Sequence, residues 1–121
     1  MGGIFSGAEY SEFVVDRGRR TQCLFQDGTV AYLNSESKIH YPVKFGLFER
    51  RIRLEGEAYF EVKHNPRRPF VVEIEGGEIQ VLGTSFNVKA YHGDDIVAVT
   101  LDEGRVGLDK RRGGRFELAP S

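Results

Sequence analysis

A chain of 121 residues with 40% hydrophobic side chains makes a single domain, long enough to bury roughly 65% of its unfolded surface without disulfide staples. Its 17 lysines and arginines against 18 aspartates and glutamates leave a formal charge of −1, which excludes whole-domain electrostatic attraction to nucleic acid or to an anionic membrane. No apolar run approaches the roughly 18 residues of a membrane span, and no basic-then-apolar leader opens the sequence.

Residues 1–12 read as a lead or linker and residues 13–121 as the folded domain. Phe13 to Val15 and Thr21 to Phe25 are short apolar runs separated by Asp16-Arg17-Gly18. Asp27-Gly28 supplies a turn that uses positive φ, and Thr29 to Leu33 returns as the second arm of a hairpin. Asn34-Ser35-Glu36-Ser37 is a polar turn, and Lys38 to Val43 a strand in which Pro42 holds Tyr41 extended. From Ile52 the even positions Ile52, Leu54, Gly56, Ala58, Phe60 and Val62 are apolar or small, while Arg53, Glu55, Glu57, Tyr59 and Glu61 are polar or amphipathic. That alternation is a pleated strand with one buried face. Arg50 to Val62 is either one long bent strand or two strands joined at Gly56.

Asn65-Pro66-Arg67-Arg68-Pro69 is a loop, since its prolines give no donors to a ladder and forbid a helix. Strands over Phe70 to Glu75, Glu78 to Leu82, Ser85 to Tyr91 and Ile96 to Leu101 follow, parted by Gly76-Gly77, by Gly83 and by His92-Gly93-Asp94-Asp95. Three runs, LEGEAYFEV, VLGTSFNVKAY and LDEGRVGL, are each strands written around a glycine: Gly56, Gly83 and Gly104. Glycine inside a strand marks a bulge, a bend or close backbone contact, so one device reused is expected. The end at Ala119-Pro120-Ser121 reads as a turn. The expected fold is all-β, a β-sandwich of jelly-roll-like or rolled topology with about ten to twelve short strands and no substantial helix. Its expected core is Leu24, Leu33, Ile39, Ile52, Leu54, Phe60, Val62, Phe70, Val72, Ile74, Ile79, Val81, Phe86, Val88, Val97, Val99, Leu101, Val106 and Leu108.

No catalytic constellation stands out. Cys23, the lone cysteine, reads as a small buried hydrophobe. His40, His64 and His92 lack the tight spacing of a metal site, so no metal and no cofactor is expected. Glu55, Glu57 and Glu61 share one face of one strand, but Arg53 and Tyr59 beside them suit solvated charge better than an acid/base pair. The basic pairs Arg19-Arg20, Arg50-Arg51, Arg67-Arg68 and Arg111-Arg112 are spread along the chain and read as solvated edge and loop charge. Tyr10, Tyr32, Tyr41, Tyr59 and Tyr91 could form a sugar platform or a partner's anchor points, though in strands they read first as half-buried packing. A carbohydrate-binding or jelly-roll enzyme domain is therefore the alternative; it calls for a concave cleft where tyrosine and carboxylates converge.

The ordered blocks FQDGTVAYLN, HYPVKF, ERRIRLEGEAYFEV, RPFVVEI, VLGTSFNVKAY and VTLDEGRVGL resemble the FecR-type periplasmic domain over about Phe13 to Pro120. The resemblance implies a fragment of a longer inner-membrane anti-sigma regulator. A missing cytoplasmic segment would bind an extracytoplasmic-function sigma factor, and the periplasmic part would receive a signal from a TonB-dependent outer-membrane receptor. It further implies a missing C-terminal domain as a neighbour, no enzymatic activity and no nucleic-acid partner. Asp27, Gly28, Asn34, Gly56, Glu57, Ala58, Tyr59, Phe60, Gly83, Thr84, Phe86, Asn87, Val88, Glu103 and Gly104 match the family pattern. Asp27, Gly28, Asn34, Gly56, Phe60, Gly83, Thr84, Phe86, Val88 and Gly104 have structural explanations, as turn, bulge and core residues. Glu57, Tyr59, Asn87 and Glu103 are the candidate partner contacts.

Overall fold

The computed structural model describes residues 10–42, 50–94, 96–101, 107–110 and 115–120. They form eleven strands and, among the described residues, no helix. In chain order these are β1 (Tyr10–Val14), β2 (Thr21–Leu24), β3 (Val30–Leu33), β4 (Lys38–Pro42), β5 (Arg50–Glu61), β6 (Phe70–Ile74), β7 (Gly77–Val81), β8 (Ser85–Ala90), β9 (Ile96–Leu101), β10 (Gly107–Lys110) and β11 (Arg115–Pro120). The all-β expectation holds. β1 begins at Tyr10, three residues before the expected start of the domain. Ala119 and Pro120, expected in a turn, end β11, which runs parallel to β9; Ser121 lies outside the described residues.

One strand belongs to two sheets. The first half of β5 pairs with β4 and β6, in a sheet that runs β1-β4-β5-β6-β7-β10. Its second half pairs with β3 and β8, in a sheet that runs β2-β3-β5-β8-β9-β11. We call these the first and second sheets. The β5–β6 and β9–β11 pairs are parallel and the other pairs antiparallel, the pattern of a sheet rolled on itself.

The roll turns at Gly56. Its φ of +113° is open to glycine and strained for any residue with a Cβ. The turn Asn34–Ser37, which carries the chain from β3 to β4, crosses directly over it. Ser37 is fully buried there; its Oγ accepts from Glu57 N at 2.8 Å and donates to Glu57 O at 3.0 Å. A Cβ on Gly56 would collide with Ser37 Oγ and stand 2.7 Å from Ser37 Cα. Burial alternates without a break from Arg50 to Glu61. A bulge would have flipped the pattern, so Gly56 is a bend.

The bend brings the two ends of β5 together. Thirteen residues of straight strand would separate Arg50 from Lys63 by about 40 Å, yet Arg50 Nη1 donates to Lys63 O at 2.6 Å. The even-numbered residues of the two halves thereby face one core, where Phe60 of the second sheet meets Phe70 of the first at 5.6 Å between ring centroids and Phe86 at 5.3 Å. Each such side chain contributes roughly 1.5 to 3 kcal/mol by leaving water.

Arg50, expected as solvated charge, is 1% exposed. All five of its N–H donors can be accounted for: Nε to Arg68 O, Nη1 to Lys63 O and Asp27 Oδ2, Nη2 to Asn65 O and Leu82 O. Its guanidinium also lies 5.7 Å from the centre of the Phe70 ring. An even position on an inward-facing run is buried whatever residue occupies it, and here loop carbonyls that lack ladder partners receive the cation. Its neighbour Arg51 is half-buried on the outer face, paired with Glu73 and with Glu78 at 2.7 Å.

Three further expectations change. Leu24 is 72% exposed while Cys23 and Phe25 are buried, because β2 meets the core on its odd positions. Gly83 lies in the link between β7 and β8, not inside a strand. What it shares with Gly56 is close approach, since a Cβ there would strike His64 Cα and stand 2.8 Å from His64 Cβ. The β6–β7 turn is Glu75-Gly76, with Gly77 already in β7. Otherwise the expected core from Leu33 to Val88, and Val99, is buried, with Val97 and Leu101 packed partly against it. Gly104, Glu103 and Val106 lie outside the described residues, as does the side chain of Leu108.

Two predictions follow from the bend and its clamp. In denaturant melts Gly56→Ala should lose more than about 2 kcal/mol, whereas Gly76→Ala, at positive φ but in open space, should lose about 1 kcal/mol. Arg50→Ala should lose about 3–5 kcal/mol, and Arg50→Lys should not restore it, because an ammonium cannot span the five-donor fork.

Candidate functional site

The outer faces of the two sheets carry different chemistry. Across the first sheet the register aligns Glu12, His40, Arg53, Glu73 and Glu78 on successive strands. His40 Nε2 lies 2.7 Å from Glu12 Oε2. With the Arg51 pairs, this is a solvated ionic skin.

Across the second sheet, the register aligns Gln22, Tyr32, Tyr59, Asn87 and Thr100. At about 4.8 Å per strand this row spans close to 20 Å. The Tyr32 and Tyr59 rings are neighbours, 6.2 Å between centroids and tilted by 41°. Beside them Glu57 is held at both oxygens: Asn34 Nδ2 donates to Oε1 at 3.0 Å and Asn87 Nδ2 to Oε2 at 2.8 Å. Asn34 is placed by its turn, where its Oδ1 accepts from Ser35 N and its own N–H donates to Glu57 O. Tyr32 donates its hydroxyl to Glu61 Oε1 at 2.9 Å. That hydrogen bond, with some desolvation and the Glu61 charge, holds the Tyr32 phenol above its ordinary pKa.

These residues line an open groove of about 670 Å³, walled by Arg20, Thr21, Gln22, Tyr32, Leu33, Asn34, Glu57, Tyr59 and Asn87. Three of the four candidate contacts, Glu57, Tyr59 and Asn87, come together here; Glu103 lies outside the described residues. Neither Glu57 nor Glu61 forms an ion pair with a described residue, although Lys89 stands opposite Glu57 in the register. Arg20 and Gln22 were missed by sequence reasoning. Counting outward from a two-residue turn at Asp27-Gly28 would set Gln22 opposite Leu33; the observed register, with Leu24 opposite Val30, sets it opposite Tyr32.

The other candidates disperse. Tyr41 packs on Phe13 and Phe25, and Tyr91 donates to Ser35 O. Glu55 falls on the first-sheet half of β5, so the bend at Gly56 separates it from Glu57. Glu57 and Glu61, four residues apart on a strand, are about 13 Å apart at Cα, and each is held by its own partners, Glu57 by Asn34 and Asn87 and Glu61 by Tyr32. His40 pairs with Glu12, and His92 lies 3.4 Å from Glu75. No group of three or more potential metal ligands occurs among the described residues. Burial pushes the Cys23 thiol up to about 11, so it is protonated at neutral pH.

Comparison with known proteins gives a family and a fold. A family model described as "FecR protein" matches residues 11–117. Two crystal structures of a "putative anti-sigma factor" from Parabacteroides distasonis ATCC 8503 superpose with TM-scores of 0.80 and 0.79, at 38% and 39% identity. The alignments cover 84% and 83% of this chain. The chain spans about half of those structures' length, 48% and 47%. Among curated proteins nothing matches.

Titration of the tyrosines followed by NMR should show the Tyr32 phenol ionising at higher pH than a free phenol. The β3–β5 hydrogen bond should be intact below that pH and lost as pH rises through it. Glu61→Gln should bring the Tyr32 transition back toward the ordinary value, since the largest cause of the shift is removed.

Proposed function

The chain belongs to the FecR family, and on that premise we propose that it is the non-enzymatic periplasmic domain of a membrane-anchored anti-sigma regulator. In this reading it relays a signal from a TonB-dependent outer-membrane receptor toward an extracytoplasmic-function sigma factor held by another segment of the protein. The observation that carries the proposal is the match over residues 11–117, combined with 38% identity to a structure described as an anti-sigma factor. The architecture supports it. A relay needs a body that moves as one piece, and β5, shared by both sheets and clamped end to end by Arg50, supplies one.

Main-chain pairing is the route of docking we favour. Among the described residues β2 pairs with β3 alone. Phe25 N donates to Thr29 O and Cys23 pairs with Ala31, so alternation along β2 turns the N–H and C=O groups of Gln22 and Leu24 to the open side. The exposed Leu24 side chain stands at the same edge. An incoming strand would meet two donors, two acceptors and an apolar contact.

Leu24→Pro tests this without breaking the existing ladder, because the N–H it removes faces the open edge. Calorimetry with the signalling domain of the cognate receptor should show binding to the unmodified chain, weakened by at least about tenfold in Leu24→Pro while the melting temperature holds. Unchanged binding in that variant sinks the edge route. Absence of binding to the unmodified chain sinks the receptor as the domain's direct partner.

A further inference from the structure

We propose that the groove on the outer face of the second sheet is a binding site for a neutral oligosaccharide, a function separate from strand docking at the β2 edge. The lining argues for this ligand class by what it contains and by what it lacks. Tyr32, 40% exposed, and the half-buried Tyr59 form an aromatic platform of two adjacent rings. Such ring faces stack on the C–H surface of a pyranose, and the Tyr32 hydroxyl is already held by Glu61.

Around the platform stand polar groups of both hydrogen-bonding senses. Glu57 is fixed by Asn34 and Asn87, each oxygen using one acceptor position on an amide. A carboxylate offers about four such positions, so each oxygen keeps one for a sugar hydroxyl. Among the described residues the side chain of Asn87 bonds to Glu57 alone, through its Nδ2, which leaves its Oδ1 to accept from a ligand. Arg20 and Gln22 on the opposite wall are exposed donors without a described partner. Vicinal hydroxyls donate and accept at once, and this alternation of fixed acceptor and mobile donor matches them.

Charge decides against the competing ligands. Among the described residues lining the groove and its rim, the charges of Glu57 and Glu61 are offset by Arg20 and Lys89 on the same face, so these four groups give no net pull on a cation or a phosphate. The groove is too polar for an apolar ligand. Its volume of about 670 Å³ falls in the ordinary range for small-molecule sites, and its openness to one side suits a segment of a longer chain.

The test is an amide-resolved NMR titration of the chain with cellopentaose, maltopentaose, xylopentaose and mannopentaose, each to about 10 mM, where even a weak millimolar complex is populated. At least one should move the amides of Gln22, Tyr32, Tyr59 and Asn87 and leave those of Arg51, Glu73 and Glu78 on the opposite sheet in place. Tyr59→Ala should weaken that complex by at least about tenfold and Tyr59→Phe, which keeps the ring, by much less. Arg53→Ala, on the other outer face, should have no effect. If none of the four sugars shifts the groove, or if the shifts survive Tyr59→Ala in a folded variant, the proposal is overturned. An acetylated arginine peptide that moves the same amides where the sugars do not would overturn it in favour of a protein ligand. Receptor binding measured in Tyr59→Ala should be unchanged, so loss of the sugar site and loss of strand docking remain distinguishable.

Discussion

The doubling back of β5 is the constraint from which the rest of the molecule follows. A strand of twelve residues would ordinarily run straight through one sheet. Here it must serve two, and the only backbone that allows this without losing the alternation is a single residue at positive φ with nothing on its α-carbon. Gly56 meets both requirements, and Ser37 shows why both are needed, since its side chain and backbone occupy the space a Cβ would take. The serine does more than fill that space. Its hydroxyl accepts from Glu57 N and donates to Glu57 O, which also accepts from Asn34 N, so the backbone at the bend stays paired inside the protein.

The bend creates a second problem that Arg50 resolves. Once the ends of β5 meet, the return loop after Glu61 and the β7–β8 link crowd the same corner with carbonyls that no ladder serves. Leu82 O and Asn65 O already accept from Asn65 N and Arg68 N, and leaving a buried carbonyl such as that of Lys63 or Arg68 unpaired costs about 1–3 kcal/mol. One guanidinium, with donors in a fixed planar fork, serves four carbonyls and the Asp27 carboxylate together. The same Asp27 accepts from Thr29 N and Oγ1 in the β2–β3 turn. The clamp therefore ties a hairpin of the second sheet to the start of β5 and to the loop that leads into the first. A buried ion pair is weak evidence for stability by itself; the five acceptors that this guanidinium joins, from the β2–β3 turn, the β5–β6 loop and the β7–β8 link, give it its weight.

The groove is a product of register. Tyr59 and Asn87 are 28 positions apart and Tyr32 lies 27 before Tyr59, yet β5 pairs with β3 and β8 so that all three fall in one row. Glu57, two residues from Tyr59 on the same face of β5, is held beside that row by Asn34 of the turn and Asn87 of β8. The opposite sheet uses the same geometry for charge, with paired ions in place of aromatic rings. Of two outer faces built on the same strands, one is therefore a salt-bridged surface and the other a surface with unspent hydrogen-bonding capacity.

The alternation along β5, β7 and β8 was legible in the sequence, because inward and outward positions there differ in chemistry over five or more residues, and a period of two is a local property; β6 is buried at Val71 as well as on its core face. The β2–β3 hairpin was legible from Asp27-Gly28, since the turn chemistry is local too. Short strands gave way where that signal thinned. In Thr21 to Phe25 both parities carry apolar residues, Cys23 and Phe25 on one and Leu24 on the other, and packing chose Cys23 and Phe25 over Leu24. Arg50 read as surface charge because no local rule connects an arginine to the carbonyls of residues 63, 65, 68 and 82. Gly56 was recognisable as a special position, but whether it made a bulge, a bend or a contact depended on Ser37 lying across it. The sequence by itself determined which stretches are strands and which face of the long ones is apolar. The tertiary structure alone decided how one strand is divided between two sheets, which charge is buried and which distant side chains share a row, because those depend on pairing between segments far apart in the chain.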